Sequence, residues 1–125
     1  MEACQKVLSK TALPPDEVDL IIVATATSDY LGFPSVACLV QDRLGAKKAG
    51  AMDLAAGCTG FIYGLETARS FVLGGGARNV LVVGAEVLSR IVDWQDRNTC
   101  VLFGDGAGTA LVSASEDARD PEGRP

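Results

Sequence analysis

Between residues 51 and 65, Ala-Met-Asp-Leu-Ala-Ala-Gly-Cys-Thr-Gly-Phe-Ile-Tyr-Gly-Leu, the hydrophobic period changes at a cysteine, and that change limits the folds open to this chain. Apolar and small residues run up to Cys58 as in a short strand. Beyond it Phe61, Ile62, Leu65, Ala68 and Val72 recur at helical spacing. The segment therefore predicts strand, tight turn and helix, with the thiol at the first helical turn. The unpaired N–H groups at such a position favour a thiolate over a thiol and make the sulfur a better nucleophile. Gly57, Thr59 and Gly60 permit the sharp strand-to-helix elbow that exposes a nucleophile above a sheet.

The flanking sequence supplies partners for this unit. Residues 18–24 (Val-Asp-Leu-Ile-Ile-Val-Ala) and 79–85 (Asn-Val-Leu-Val-Val-Gly-Ala) are nearly unbroken apolar runs, which fit strands covered on both faces. A helix is expected over residues 1–11, stopped before Pro14-Pro15. A second is expected over residues 36–44, opened by Pro34-Ser35, striped by Val36, Leu39, Val40 and Leu44, and capped by Gly45. In the loop between, Phe33 is expected to staple onto that helix. Gly57, Gly60, Gly64 and Ala68 form a small-residue stripe after the elbow. Each glycine in an exposed helix costs up to about 1 kcal/mol relative to alanine, so the stripe predicts close backbone packing. Gly74-Gly75-Gly76 ends the helix. The order helix, strand, helix, strand, helix, strand, with long crossovers, predicts an α/β fold with parallel pairing.

Residues 86–97 place Val87, Leu88, Ile91 and Trp94 at the spacing of a short helix, with Asp93, Asp96 and Arg97 toward solvent or a ligand mouth. Residues 100–112 predict a strand, a glycine turn and a second strand. Gly104, Gly106 and Gly108 match a dinucleotide fingerprint weakly, because a strand follows where that motif requires a helix.

With 125 residues, 48% of them hydrophobic, the chain can build one core. The domain is expected to span residues 1–114, with 115–125 a linker or frayed tail. A net charge of -5 argues against non-specific binding to nucleic acid or an anionic membrane, and no apolar run approaches the roughly 20 residues of a membrane helix. A soluble cytoplasmic protein is the expectation. Cys4, Cys38, Cys58 and Cys100 lack the paired short spacings of a metal knuckle, so no metal is expected, and all but Cys58 read as inert core residues. The absence of histidine removes the commonest general base. Asp53 is expected to cap backbone N–H groups and Asp105 to make a turn hydrogen bond. Arg97 is open to two readings, a solvated charge or an anion contact.

Three blocks in order, Gly32-Phe-Pro-Ser-Val-Ala-Cys38, Asp53-Leu-Ala-Ala-Gly-Cys-Thr-Gly-Phe61 and Asp96-Arg-Asn-Thr-Cys-Val-Leu-Phe-Gly-Asp-Gly-Ala-Gly108, resemble the amino-terminal half of the beta-ketoacyl-[acyl-carrier-protein] synthase III family. The resemblance covers nearly the whole chain up to about Ala114. It implies half of a thiolase-like layered fold, a mixed sheet flanked by helices. It also implies a decarboxylative Claisen condensation of a short acyl-coenzyme A with malonyl-[acyl-carrier-protein], initiating type II fatty acid synthesis through an acyl-cysteine.

By the same resemblance, Cys58 matches the nucleophile and its backbone N–H contributes to an oxyanion hole. Phe33 matches the residue that closes the partner subunit's acyl pocket in a homodimer. Arg97 matches a contact to the nucleotide end of coenzyme A, and Phe103 an aromatic residue near the active-site passage. The implied partners are the acyl carrier protein, a second subunit and acyl-coenzyme A as substrate, with no resident cofactor. The family's activating histidine and asparagine come from its second half, so the chain is expected to be a portion of a longer enzyme, inactive in condensation alone. Gly57 stands where the family often has alanine. A cysteine-nucleophile thioesterase and a non-catalytic thiolase-like subunit are the alternatives: the first releases free acid, the second forms no acyl adduct.

Overall fold

The computed structural model describes residues 1–115, so the expected tail lies, but for its first residue, outside the described residues. Four strands, β1 (Leu20–Ala24), β2 (Gly50–Leu54), β3 (Asn79–Val87) and β4 (Asp105–Ser113), form one mixed sheet in the order β2-β1-β3-β4. β1 runs parallel to β2, from Leu20↔Gly50 to Ala24↔Leu54, and parallel to β3, from Leu20↔Val80 to Ala24↔Gly84. β4 returns antiparallel to β3, from Asn79↔Ser113 to Val87↔Asp105. Helices α1 (Glu2–Thr11) and α2 (Val36–Leu44) cover one face and α3 (Gly60–Leu73) the other.

Alternation along β1 and β3 sorts their side chains between two cores. Ile21, Val23, Leu81 and Val83 meet Cys4 and Leu8 of α1 and Ala37 and Val40 of α2. Leu20, Ile22, Val80 and Val82 meet Ala68, Leu65 and Phe61 of α3. All five residues of β1 are buried, as the unbroken apolar run requires of a strand covered on both faces. Each fully buried Val, Leu or Ile stabilises the fold by about 1.5–3 kcal/mol.

Polar side chains set where the elements begin. The Asp19 carboxylate accepts from the Arg78 and Asn79 N–H groups at 2.7 and 2.9 Å, aligning β3 with β1. Asp53 on β2 accepts from the Val36 and Ala37 N–H groups, both at 2.8 Å, and Ser35 Oγ accepts from Cys38 N–H at 3.2 Å. Two side chains thus satisfy the orphan donors of α2, and Asp53 has the capping role its position suggested. Gly45 ends α2 at φ 73.

Of the predicted small-residue stripe, Gly60, Gly64 and Ala68 of α3 are buried against the sheet, while Gly57 lies in the turn before α3, where its φ of +54 rather than close packing calls for glycine. A Cβ added to Gly60 would stand 3.1 Å from the Ala24 Cβ, and one added to Gly64 only 2.8 Å from Val82 Cγ1. The helix rests on β1 and β3 because its contact face lacks side chains there.

Several expectations fail. Residues 86–97 form no helix of useful length: β3 continues through Val87, a short turn of 3-10 helix spans Leu88–Arg90, and Ile91 and Trp94 are exposed. A longer β3 wins because β4 pairs with it over its full length. Residues 100–103 are turn rather than strand, and Gly106 and Gly108 lie within β4 instead of in a glycine turn. Phe33 is 86% exposed and staples nothing. All four cysteines are free, but only Cys4 is fully buried; Cys38 and Cys100 are partly accessible. Among the described residues no helix is long and apolar enough to cross a membrane.

The close contact at Gly64 yields a test. Gly64→Ala should destabilise the fold by about 1–3 kcal/mol in urea unfolding, the usual cost of overpacking. Combined with Val82→Ala, which removes the opposing methyl groups, the pair should be more stable than the two single losses predict when added, by about 1 kcal/mol. Additive losses would show that the contact does not constrain the helix.

Candidate active site

β2 ends at Leu54, and two residues later the chain turns through a short 3-10 helix, Gly57–Thr59, before α3 begins. Cys58 sits in that turn and is exposed, two residues before α3 rather than in its first turn. Gly57 adopts φ +54, a left-handed conformation that costs any residue with a Cβ about 1–2 kcal/mol. Thr59 Oγ1 donates to Ala56 O at 3.0 Å and closes the turn from the other side.

A cavity of about 250 Å³ opens beside the thiol. Its walls come from the carboxyl ends of the parallel strands, Ala24 of β1 and Gly84 to Glu86 of β3, together with Phe61 of α3, Leu88 and the first residues of β4. The carboxyl edge of parallel strands is where open α/β sheets place their ligand sites. The space exists because the wall is made of glycine and alanine. A Cβ on Gly84 would stand 3.1 Å from Phe61 Cδ2, so the Phe61 ring is seated over a bare backbone.

Glu86 is the charged group of this wall. Its Oε1 accepts from Ala26 N–H at 2.8 Å, and its Oε2 accepts from Thr27 Oγ1 at 2.6 Å and from Thr25 Oγ1 at 3.5 Å. Thr27 Oγ1 in turn accepts from Val87 N–H at 2.8 Å. The end of β3 is thereby pinned to the turn that follows β1. Asp105 makes a second clamp, accepting from Ser89 N–H at 2.9 Å and from Ser89 Oγ at 2.7 Å, which ties the Leu88–Arg90 turn to the start of β4. These partners lie 16 residues away, so the expected local turn bond is replaced by a long-range one. The Ser89 N–H and hydroxyl hold the Asp105 carboxyl below the ordinary aspartate range, with a smaller contribution from Arg90.

Of the residues singled out in the sequence, Cys58 and Phe103 line this cavity together, whereas Phe33 and Arg97 do not. Phe33 projects from the loop after β1, in a segment where Tyr30 and Leu31 are also exposed. An Arg90–Asp29 ion pair at 3.1 Å joins that loop to the 88–90 turn. Arg97 is exposed in a turn ordered by Asp96, which accepts from Thr99 Oγ1 at 2.7 Å and from Asn98 N–H at 3.0 Å. The Thr99 hydroxyl and then the Asn98 N–H keep the Asp96 carboxyl below its ordinary range. Glu86, Gly84 and Leu88 were missed by sequence reasoning. The available signal was Glu86 itself, a charged residue set within two positions of the end of a buried apolar strand. No group of three or more His, Cys, Asp or Glu side chains among the described residues is placed to hold a metal ion.

Residues 52–122, more than half of the chain, match the family described as 3-Oxoacyl-[acyl-carrier-protein (ACP)] synthase III. The chain is 52% identical over 123 residues to a beta-ketoacyl-[acyl-carrier-protein] synthase III of Natranaerobius thermophilus, covering 98% of this chain and 37% of that protein. It is 56% identical over 119 residues to the enzyme of that description from Aquifex aeolicus, covering 95% and 38%. The crystal structure of 3-oxoacyl-[acyl-carrier-protein] synthase III from Aquifex aeolicus superposes with a TM-score of 0.87 at 57% identity, over 90% of this chain and 36% of that one. The chain thus spans little more than a third of the length of the relatives it matches.

Two predictions follow from the geometry of the turn and its clamp. Gly57→Ala should lower stability by about 1 kcal/mol in urea unfolding. The new methyl would meet nothing within 4 Å, so a loss of 3 kcal/mol or more would contradict a purely backbone origin. For Asp105, the folded-state pKa is depressed, so the clamp contributes at pH values above the unfolded aspartate value and is lost as pH falls through the folded one. A carboxyl NMR titration should find Asp105 titrating below an unperturbed aspartate, and Ser89→Ala should move it upward.

Proposed function

Since the chain belongs to the 3-oxoacyl-[acyl-carrier-protein] synthase III family, we propose that it carries the acyl-accepting half of that family's reaction. In the whole protein, Cys58 takes a short acyl group from acyl-coenzyme A, and the acyl-enzyme is attacked by the carbanion equivalent released when malonyl-[acyl-carrier-protein] loses carbon dioxide. The product is a 3-oxoacyl-[acyl-carrier-protein], the first condensation product of type II fatty acid synthesis. Passing through a thioester divides one difficult carbon–carbon step into two easier ones.

The observation that carries this reading is an exposed cysteine at the entry of α3 opening onto a cavity of about 250 Å³ walled by small residues. Sulfur attack on the thioester carbonyl develops negative charge on oxygen. The Cys58 N–H and the amino-terminal end of α3 oppose that charge. The acyl chain lies in the cavity against Phe61 and Gly84, with Phe103 beside it. Arg97, exposed and in no ion pair among the described residues, contacts the nucleotide end of coenzyme A, where its planar guanidinium stacks and donates. Phe33, projecting on its loop, reaches the acyl pocket of a second subunit in a homodimer. The chain contains no histidine, so the groups that activate the malonyl donor lie outside this sequence.

The test is intact-mass analysis and peptide mapping after incubation with acetyl-coenzyme A. One acetyl group should map to Cys58, be absent from Cys58→Ser, and persist when malonyl-[acyl-carrier-protein] is added, without 3-oxoacyl product. Acetylation of Cys38 or Cys100 in place of Cys58 would overturn the assignment of the nucleophile. Release of free acetate at a catalytic rate would make the chain a thioesterase.

A further inference from the structure

We propose that Glu86 is a specificity-determining residue: it places a negative charge in the wall of the Cys58 cavity and so turns away acyl groups that end in a carboxylate, restricting the thiol to neutral acyl chains. The inference rests on the proposed acyl-transfer role for its biological meaning, though not for its physical basis.

Among the described residues that line the cavity, Glu86 is the one charged side chain; the others are alanine, glycine, leucine, phenylalanine and Cys58. Its donors are neutral, the Ala26 N–H and the Thr27 and Thr25 hydroxyls, so they orient the carboxylate without cancelling its charge. None of the ion pairs among the described residues includes Glu86. Arg90, on the turn that follows β3, is paired with Asp29 at 3.1 Å. A carboxylate at the far end of an acyl chain would therefore enter a small, largely apolar space facing a like charge. Like charges several ångströms apart beside a protein surface, where the effective dielectric is well below that of water, repel strongly enough to change a rate about tenfold. A neutral chain of the same length meets no such barrier. Both carboxylate oxygens are hydrogen-bonded, Oε1 by the Ala26 N–H and Oε2 by the Thr27 hydroxyl, so the charge stays at the end of β3.

The charge filter is measurable without any enzymatic turnover. Iodoacetamide and iodoacetate both alkylate Cys58: the sulfur electron pair forms the new C–S bond, iodide leaves with the C–I pair, and the thiol proton passes to water. The two reagents differ by one negative charge. The ratio of iodoacetate to iodoacetamide rates at Cys58, normalised to the same ratio for 2-mercaptoethanol, should be well below one in the native chain. It should rise about tenfold in Glu86→Gln, which keeps the shape and removes the charge, and stay near the native value in Glu86→Asp. Thr27→Val removes one hydrogen bond from the carboxylate while the Ala26 N–H still holds Oε1 and the charge is kept, and should leave the ratio low. In the native chain the ratio should also climb toward one as salt is raised to about 1 M, where the Debye length falls to about 3 Å.

An unchanged ratio in Glu86→Gln, or a ratio equally raised by Thr27→Val, would overturn the proposal, as would a salt-insensitive native ratio. A second arm compares transfer to Cys58 from butyryl- and succinyl-coenzyme A. In each case the sulfur displaces coenzyme A as its free thiol, and Glu86→Gln should favour succinyl transfer by a similar factor. If the alkylation ratios behave as expected while neither thioester acylates Cys58, the charge filter stands and the acyl-transfer reading fails.

Discussion

The absence of side chains at Gly60 and Gly64 is the constraint on which this structure turns. A helix carrying ordinary side chains at those positions would stand further from the sheet; here α3 rests against Ala24 of β1 and Val82 of β3. Because Cys58 lies immediately before α3, the depth of that contact fixes how far the thiol stands above the carboxyl ends of the parallel strands. The same contact seats Phe61 over Gly84 and completes the cavity wall. Glycines that weaken a helix in isolation thereby locate the Cys58 thiol, and the hydrophobic burial on both faces of β1 and β3 offsets their cost.

Much of this was legible in the sequence wherever a single period dominated a segment. The apolar runs at residues 18–24 and 79–85, helix α2 and the Gly60, Gly64 and Ala68 part of the small-residue stripe each meet one local rule and lie where that rule put them, whereas Gly57 lies before α3 and packs against nothing. The reading failed where long-range pairing outweighed local spacing. Val87, Leu88, Ile91 and Trp94 match helical spacing, but β4 pairs with β3 as far as Val87 and draws the backbone into extended form. Asp105 sits among glycines as a turn residue would, yet its partner is Ser89, brought near by that same antiparallel return. Phe33 has the sequence position of a staple but is held away from α2 on an exposed loop.

The site was legible in part for the same reason. Cys58 announces itself through the change of period, and Phe103 through its place in a motif block. Glu86 could not be assigned from spacing, since its partners Ala26 and Thr27 lie some 60 residues earlier and only the parallel pairing of β1 with β3 brings them together. Arg97 and Phe33 stay apart from the Cys58 cavity, each exposed on its own loop. The sheet, the elbow and the two carboxylate clamps divide the work: the first supplies the platform, the second exposes the sulfur, and the clamps hold the walls in register.

The link between helix depth and chemistry is most directly tested by the second-order rate of Cys58 acylation by acetyl-coenzyme A in Gly64→Ala, compared with Gly64→Ala/Val82→Ala, under conditions where both are folded. If close packing of α3 positions the sulfur, the single substitution slows acylation about tenfold, the effect of roughly 1.4 kcal/mol on the barrier, and relief of the clash in the double variant restores most of the rate. A folded Gly64→Ala chain that acylates at the native rate would show that the glycine contact stabilises the fold without placing the nucleophile, and would contradict the account.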